Sequence, residues 1–210
     1  MKEENKNGQL PEKEQLLSSL RNAEEMYVFM SLCTKMPYVL CDEETFDDEV
    51  LLYYTEEDAQ REGKKLIEQR IPIQIAKIEK KQLLGFFSSL YPMGVNGLLI
   101  NKNMESEARL QLGELVIRPN TEDLPDGKVW VENPQLHLTA LYFMQEMRRQ
   151  EKPELTEELK GLQEEILVNY GRGRFIVAVH KENGMPMLKQ KNGDAYQPIF
   201  TDILEFRKFN

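Results

Sequence analysis

The chain has 210 residues, of which 40% are apolar and 30% are charged, so it can bury a core beneath a strongly solvated surface. The length suits one large domain or two small ones. The net charge of -9 argues against nucleic acid and against anionic membranes as partners, because such binders need a basic surface.

The sequence indicates a cytoplasmic protein. Its first residues, MKEENKNGQLPEKEQ, are charged where a signal peptide needs an apolar run. No uninterrupted apolar stretch approaches the roughly 18 residues that a membrane span requires. Cys33 and Cys41 are too few for a secreted disulfide scaffold, and isolated thiols are common in reduced cytosolic proteins.

Helical spacing of apolar residues predicts a long first helix after a disordered tail at residues 1–11. The positions that share one face are Leu16, Leu20, Ala23, Tyr27 and Met30. Pro37 disfavours helical geometry at Met36, so the helix is expected to end before Pro37. Short strands are predicted at 38–41 and 50–54, on either side of an acidic loop.

Thr55 follows the second of these strands and is predicted to cap a helix. Its hydroxyl can accept the free N–H groups of the first turn, and the acids that follow suit the positive end of the helix dipole. Asp58, three residues further on, completes an approximate capping box. A strand (71–78), a helix (80–90) and another strand (98–101) are predicted next.

The middle of the chain is predicted to be a β segment between two halves. LQLGELVIR (110–118) and KVWVE (128–132) have the composition of strands. Asn133 and Pro134 form a good helix start, with Asn as the cap. A further helix is expected from Thr156 to Gly171, because glycine can adopt the left-handed conformation that ends many helices.

Two Asn-Gly pairs near the end of the chain predict tight turns, because both central positions of a type I′ turn need positive φ. The pairs are Asn183-Gly184 and Asn192-Gly193. They divide residues 174–200 into three strands of a predicted meander. Pro198 lacks an N–H group, so the last strand is expected at an edge or with that position turned outward. Thr201 is predicted to cap a final helix as Thr55 does.

One phrase occurs twice in the chain. LYYTEEDAQREG (52–63) and IFTDILEFRKFN (199–210) each lead from an apolar stretch through an aromatic to Thr, an acid and a charged helical pattern. A helix and buried strands precede both copies in the same order, which favours an internal duplication. The first copy continues with a strand, a helix and a strand, whereas the second ends.

Four stretches carry a family resemblance: RFIVAV, ENPQL, GVNGLLIN and MLKQKNGDAYQPIFTDILEFRKF. They resemble the SseB-like N-terminal domain, a module often found in tandem in bacterial cytosolic proteins. The match is best over 130–210, and residues 20–101 look like a more diverged copy. The resemblance implies an α+β fold with a mixed sheet in each copy and brings no catalytic motif. It also implies that a complete second copy would continue beyond Asn210.

The predicted organisation is a tail (1–11), a first SseB-like module (12–101), a connecting β segment (102–132) and a second, incomplete module (133–210). A module that lacks three elements should leave a strand edge unpaired, and such edges recruit partners or aggregate. We therefore expect the chain to dimerise or to be less stable than a version extended past Asn210.

Residues with reactive or metal-binding chemistry form no known motif. Cys33 and Cys41 lack the four-ligand spacing of a metal site and are interpreted as buried structural thiols. A cysteine nucleophile assisted by His137 or His180 is the alternative. The two histidines are interpreted as surface or hydrogen-bonded residues, so the sequence predicts no catalytic, cofactor-binding or metal-ligating residue.

Three further stretches are interpreted as structural. The acidic residues at 42–49 lack the order of a calcium loop and are expected to be a solvated hairpin loop. The glycines of YGRGR (170–174) follow a helix, whereas a phosphate cradle precedes one, so a helix end and turn are expected. MGVNG (93–97) lacks the lysine of a P-loop and is expected to be a turn.

Apolar side chains also occupy more of two predicted helices than one core face needs. They are Met26, Tyr27, Phe29 and Met30 in the first half, and Leu141, Tyr142, Phe143 and Met144 in the second. We interpret these side chains as packing between the two modules, with a surface for a partner as the alternative.

The favoured function is a cytoplasmic protein-interaction or adaptor module of SseB-like type, with another protein or a second copy of the chain as its partner. The alternative is a small-molecule hydrolase or transferase with a site at the junction of the two modules. An enzyme should bring several titratable groups with perturbed pKa values into one pocket. A binding module should instead show an apolar groove or an open sheet edge.

Overall fold

The computed structural model describes residues 9–118, 124–150, 154–182 and 184–209. The fold is α+β, as the sequence predicts. The chain divides into two compact units: the first combines Met1–Ser88 with Asn96–Arg118, and the second combines Ser89–Val95 with Pro119–Asn210. Among the described residues, each helix is too short or too polar to cross a membrane.

The described residues contain seven helices and ten strands. The helices are α1 (Gln9–Asn22), α2 (Glu56–Glu68), α3 (Lys80–Ser89), α4 (Leu112–Leu115), α5 (Pro134–Arg149), α6 (Glu157–Arg172) and α7 (Ile203–Phe209). The strands of the first unit are β1 (Glu25–Ser31), β2 (Val39–Cys41), β3 (Asp48–Tyr53), β4 (Ile73–Glu79), β5 (Gly97–Ile100) and β6 (Ala108–Gln111). Those of the second unit are β7 (Ile176–Val177), β8 (Leu188–Lys189), β9 (Ala195–Tyr196) and β10 (Ile199–Phe200).

The first unit contains a six-stranded mixed sheet. Five strands follow the order β4-β1-β3-β5-β6, and β2 pairs with β3. β3 and β5 are parallel, whereas the other pairs are antiparallel. β1 pairs with β4 over its whole length, from Glu25 opposite Glu79 to Ser31 opposite Ile73. β1 and β3 therefore have neighbours on both edges.

The core of the first unit lies between this sheet and α2. Its buried members are Tyr27, Phe29, Leu51, Tyr53, Ala59, Ile71, Ile73 and Leu99. Gly63 lets α2 approach closely, because a Cβ at this position would lie 3.2 Å from the Phe29 ring. Thr55 caps α2 as predicted: its hydroxyl accepts the Asp58 N–H at 3.2 Å and donates to the Asp58 carboxylate at 2.6 Å.

The prediction of one long first helix is wrong beyond Asn22. α1 ends at that residue, and β1 begins at Glu25. The stretch MYVF in β1 is buried on both faces of the sheet, so its sequence lacks the alternation of a half-exposed strand. The predicted tail also needs correction, since α1 begins at Gln9; residues 1–8 lie outside the described residues.

Two predicted strands in the middle of the chain are wrong as well. The predicted strand 110–118 is interrupted after Gln111, where β6 ends and α4 begins. Residues 128–132 form no strand. Because β6 pairs antiparallel with β5, it belongs to the sheet of the first unit.

The second unit packs α5 against α6 and contains two small sheets. β7 pairs with β10 and β8 pairs with β9, so the predicted meander of consecutive strands is wrong. The turn predicted at Asn192-Gly193 joins β8 to β9. Only Gly193 has a positive φ, +94, so the predicted type I′ geometry, which needs positive φ at both positions, is wrong. At the other Asn-Gly pair, Gly184 bridges to His180, while Asn183 lies outside the described residues. Pro198 divides the predicted last strand into β9 and β10.

The strand pairs β1–β3 and β7–β10 share one register. Tyr27 lies opposite Tyr53, and Val177 lies opposite Ile199. Both partners, Tyr53 and Ile199, stand two residues before the threonine of the repeated phrase. β4 and β5 extend the sheet beyond the first pair, whereas the second pair forms a sheet of two strands among the described residues.

Candidate functional site

The second unit exposes an apolar face on its β7–β10 pair, which we call the open strand face. It consists of Val177, Val179 and Ile199, whose exposed fractions are 37%, 66% and 39%. Val177 and Ile199 lie opposite each other, and Val179 lies two residues beyond Val177. Branched apolar side chains on an open strand pair are suited to contact with another protein.

The equivalent positions of the first unit are core residues. The shared register matches Val177 with Tyr27, Ile199 with Tyr53 and, two residues beyond Val177, Val179 with Phe29. The exposed fractions of Tyr27, Tyr53 and Phe29 are 6%, 0% and 1%. The same three positions, of which Val179 lies two residues beyond the end of β7, are therefore buried in one unit and open in the other.

The helix after the repeated phrase covers different faces in the two units. In the first unit α2 covers the face of Tyr53, since Ala59 belongs to the same buried cluster. In the second unit Phe206 and Phe209 of α7 pack on Phe200, with ring centroids 5.3 and 5.1 Å away. Phe200 points away from the open strand face, because successive residues of a strand alternate. α7 thus leaves that face uncovered.

The prediction that Thr201 caps α7 is wrong, because Asp202 performs this role. The Asp202 carboxylate accepts the N–H groups of Leu204 and Glu205 at 2.8 and 3.0 Å. The Thr201 hydroxyl instead donates to that carboxylate at 2.8 Å. The helix therefore starts one residue later than in the copy that Thr55 caps.

Asn133 joins the ends of β7 and β10. Its side-chain amide donates to the carbonyls of Arg174 and Thr201 at 2.6 and 2.8 Å, and its oxygen accepts the Arg174 N–H at 3.2 Å. It stands at the start of α5 as predicted, but its side chain makes no capping bond. Gly173 permits this contact, since a Cβ there would lie 2.7 Å from the Asn133 oxygen.

A buried polar cluster lies where α5 meets the start of α7, and we call it the His137 cluster. It consists of His137, Asp202 and Glu205, whose potential ligand atoms lie within 4.8 Å of one another. His137 and Asp202 are buried, and Glu205 is half-buried. His137 Nδ1 lies 3.6 Å from the Asp202 carboxylate, too far for an ordinary hydrogen bond, and this buried nitrogen has no hydrogen-bond partner among the described residues.

Asp202 remains ionised within this cluster. Its burial favours the neutral acid, but the imidazole of His137, the N–H of Glu205 and the Thr201 hydroxyl together hold the pKa of Asp202 below its ordinary value. A charged carboxylate beside a buried imidazole can form an ion pair or bind a metal cation. Asp202 and Glu205 belong to no metal-binding motif, and His137 lies more than sixty residues before them. The sequence therefore gives no sign that the three side chains meet.

The first unit contains a second polar arrangement around Arg109. The guanidinium contacts Glu49 and Asp42 at 3.2 Å each and Glu107 at 3.3 Å. Glu49 is 1% exposed, and its second oxygen has no hydrogen-bond partner in the described ranges. Gly97 makes room for this side chain, because a Cβ there would lie 2.9 Å from Glu49 Cγ. Glu49 and Arg109 line a recess of about 490 Å³ beside α1.

Burial raises the pKa of Glu49 above its ordinary value; Arg109 offsets part of this effect, and the carboxylates of Asp42 and Asp47 add to it. A carboxyl group that holds its proton more firmly can act as a general acid. Arg109 is already engaged by three carboxylates, so it is a structural partner of Glu49 rather than a free anion-binding group.

The acidic stretch 42–49 is only partly the solvated loop that the sequence predicts. Glu43 and Glu44 are exposed, but Glu49 is buried in β3. Asp47 accepts the side-chain amides of Asn96 and Gln111 at 2.7 Å each. These bonds connect the stretch to neighbouring parts of the first unit.

The interpretation of both cysteines as buried thiols is wrong: Cys41 is exposed and Cys33 is half-buried. Partial burial, followed by the carboxylates of Asp48 and the other nearby acids, raises the pKa of Cys41 above its ordinary value. The thiolate is therefore disfavoured, and the acids beside Cys41 act against its use as a nucleophile.

The remaining sequence candidates have structural roles. His180 is exposed, and its main chain bonds with Gly184. Met93 and Gly94 of MGVNG lie in a turn, as predicted, with Gly94 at φ +89, whereas Gly97 begins β5. YGRGR ends α6, but the helix continues through Gly171 and stops at Arg172, so the predicted left-handed end at Gly171 is wrong.

The two groups of apolar residues that the sequence assigns to helices lie in different kinds of element, the first in a strand and the second in a helix. Met26, Tyr27 and Phe29 are buried in β1, within the sheet of the first unit. In α5, Leu141 is buried and Met144 is 40% exposed.

Comparisons of the chain with protein-family models, curated proteins and solved structures found no match.

Proposed function

We propose that this protein is a cytoplasmic protein-binding module whose second unit accepts an extended segment of a partner protein along β7. The observation that supports this proposal most strongly is the contrast at equivalent positions. Val177, Val179 and Ile199 are exposed where the first unit buries Tyr27, Phe29 and Tyr53. Adding a strand to an open edge supplies main-chain hydrogen bonds, while side-chain pockets give specificity.

The first unit indicates the chemistry of the segment that would bind. There β4 pairs antiparallel with β1 over seven residues and contributes Ile73 to the core beside Phe29. The sequence of β4 and the two residues before it, IPIQIAKIE, places isoleucine at every second position of its first half. The proposed partner segment is therefore extended, rich in isoleucine or valine, and antiparallel to β7.

Charge gives a second constraint on the partner. Residues 174–209 carry six basic and four acidic side chains, within a chain whose net charge is -9. Acidic residues on either side of the apolar segment would therefore speed its association with this region. The strands are short, so we propose a transient complex rather than a permanent one.

An interaction role agrees with the resemblance of the chain to SseB-like N-terminal domains, and that membership stays a prediction. The cytoplasmic location belongs to the same proposal and rests on the composition of the sequence.

The test uses a fluorescently labelled peptide with the sequence of residues 71–79, IPIQIAKIE, and the whole protein. We expect saturable binding in a fluorescence anisotropy titration. The same peptide with proline in place of Ala76 should bind much more weakly, because proline removes a ladder donor and disfavours the extended pairing.

Two matched variants locate the binding surface. Val179→Lys places a charge on the open strand face, and such charges block strand addition. Val129→Lys changes a valine of nearly equal exposure, 67% against 66%, in the same unit. We expect Val179→Lys to abolish peptide binding and Val129→Lys to leave it intact; equal effects of the two would contradict the proposal. A dimer that Val179→Lys dissociates and that excludes the peptide would make a second copy the occupant instead.

A further inference from the structure

We propose that the His137 cluster binds a divalent transition-metal ion, with His137, Asp202 and Glu205 as its protein ligands. The site lies in the second unit and does not depend on the proposed function, because the open strand face is formed by other residues. Its ligands come from α5 and from the first residues of the β10–α7 turn and helix. A metal ion held there would tie α7 to α5.

The geometry of the two buried ligands suits a small cation. His137 Nδ1 and the Asp202 oxygen Oδ2 are 3.6 Å apart. Two ligands of a tetrahedral Zn²⁺ ion, each about 2.1 Å from the metal, are separated by about 3.4 Å. The observed distance is thus too long for a good hydrogen bond and close to the spacing of two ligands around one ion.

The unpartnered nitrogen is the second observation. His137 is 9% exposed, and its buried Nδ1 makes no hydrogen bond within the part of the chain that the structure describes. A buried polar atom without a partner carries a free-energy cost that a bound ion would remove. Imidazole is also the commonest metal ligand among side chains. The position of this nitrogen, buried and facing the Asp202 carboxylate, is therefore one that suits a metal ion.

The carboxylates are held in place by their other bonds. Asp202 uses Oδ1 to accept the N–H groups of Leu204 and Glu205, and this orients Oδ2 toward His137. Outer hydrogen bonds of this kind are typical of metal ligands. Glu205 pairs with Lys208, whose side chain is 53% exposed. Exposed pairs contribute little to stability, so Glu205 can leave Lys208 for a metal ion.

One imidazole and two carboxylates form a mixed nitrogen and oxygen ligand set, which suits Zn²⁺, Co²⁺ and other divalent first-row ions better than Ca²⁺. Three protein ligands leave one tetrahedral position for water. Because the ligands come from α5 and α7, the expected role of the ion is to fix the last helix of the described chain against the second unit.

The test is a titration of the whole protein with Co²⁺, followed by its d–d absorption, and then displacement by Zn²⁺. We expect one saturable site without a thiolate-to-cobalt charge-transfer band. His137→Ala should weaken Co²⁺ binding by at least about 100-fold, more than the loss usually seen for residues that only support a ligand. His180→Ala changes the other histidine of the chain, which is exposed, and should leave binding unchanged.

Two isosteric variants guard against simple misfolding. Asp202→Asn removes a ligand charge but keeps a good helix cap, and Glu205→Gln changes a half-buried position. Both should weaken Co²⁺ binding while leaving the circular dichroism spectrum unchanged. Zn²⁺ should also slow amide exchange in α7 of the native sequence but not of His137→Ala.

Absence of saturable Co²⁺ binding to the native sequence would overturn the proposal. Binding that survives His137→Ala and disappears in a variant with both Cys33→Ser and Cys41→Ser would place the ion on the thiols and overturn it equally.

Discussion

The strand pair β1–β3 of the first unit and the pair β7–β10 of the second have the same register but different surroundings. β4, β5 and α2 cover the first pair, so Tyr27 and Tyr53 become core residues. The second pair has no further strand beside it within the described ranges, and its Val177 and Ile199 are exposed. The comparison shows that burial of a strand pair depends on its neighbours more than on its own pairing.

The helices that follow the two strand pairs also differ by one residue in where they start. Thr55 caps α2, whereas Asp202, one position later in the repeated phrase, caps α7. In an α-helix one residue corresponds to a rotation of about 100°. The later start of α7 accompanies its packing on Phe200, on the opposite face from Ile199.

The largest expected difference between the two pairs is in stability after truncation. Phe29→Ala should lower the free energy of unfolding of the first unit by about 3–5 kcal/mol, because it removes a buried ring. Val179→Ala, at the equivalent position, should change stability by about 0.5 kcal/mol or less. Urea titrations followed by circular dichroism measure both changes. A cost for Val179→Ala comparable with that of Phe29→Ala would show that the second unit buries this face.

Asn133→Asp should separate the strand ends of the second unit. A carboxylate cannot donate to the carbonyls of Arg174 and Thr201, so we expect a loss of about 1–3 kcal/mol in unfolding free energy. Asn22→Asp, at an exposed position of α1, is the control and should cost clearly less. Equal costs in urea unfolding would mean that Asn133 does not hold β7 to β10.

The helix caps provide a finer test of the comparison. Thr55→Ala and Asp202→Ala should each cost about 0.5–2 kcal/mol, because each removes the side chain that accepts first-turn N–H groups. Thr201→Ala should cost less than Asp202→Ala, since its hydroxyl bonds only with the carboxylate. Chemical denaturation of the three variants measures these costs. A larger cost for Thr201→Ala than for Asp202→Ala would contradict the assignment of Asp202 as the cap of α7.

Glu49 gives the smallest expected effect, which is a change in how the stability of the protein depends on pH. Because burial raises the pKa of Glu49 in the folded state, the native protein binds its proton more tightly than the unfolded chain does. This residue's contribution to stability therefore increases as pH falls through the raised pKa and toward the ordinary value. Glu49→Gln should remove that increase. Unfolding at pH 7 and pH 5 tests this, with Glu44→Gln, at an exposed position, as the control; the same pH response in both variants would contradict it.

Local sequence signals predicted the features that neighbouring residues determine. The Thr55 cap, the position of the turn at Asn192-Gly193 and the α+β class all follow from such signals and are confirmed. β1 was mistaken for helix because a strand buried on both faces has no alternating pattern.

Other features depend on contacts between residues that are distant in sequence. The pairing of β7 with β10, the bonds from Asn133 to both strand ends and the convergence of His137 with Asp202 all belong to this class. No local pattern of residue types distinguishes these partners from ordinary surface or cap residues. The open strand face was also beyond prediction in detail, because it depends on the face that α7 covers.

Amide hydrogen exchange of β1 and β7, measured with and without the peptide IPIQIAKIE, tests the proposed difference between the two strand pairs most directly. In the free protein we expect residues 25–31 to exchange only through global unfolding and residues 176–179 to exchange much faster. The peptide should slow exchange at 176–179 and leave 25–31 unchanged. Equal protection of the two strands in the free protein, or no slowing at 176–179 at saturating peptide, would contradict it.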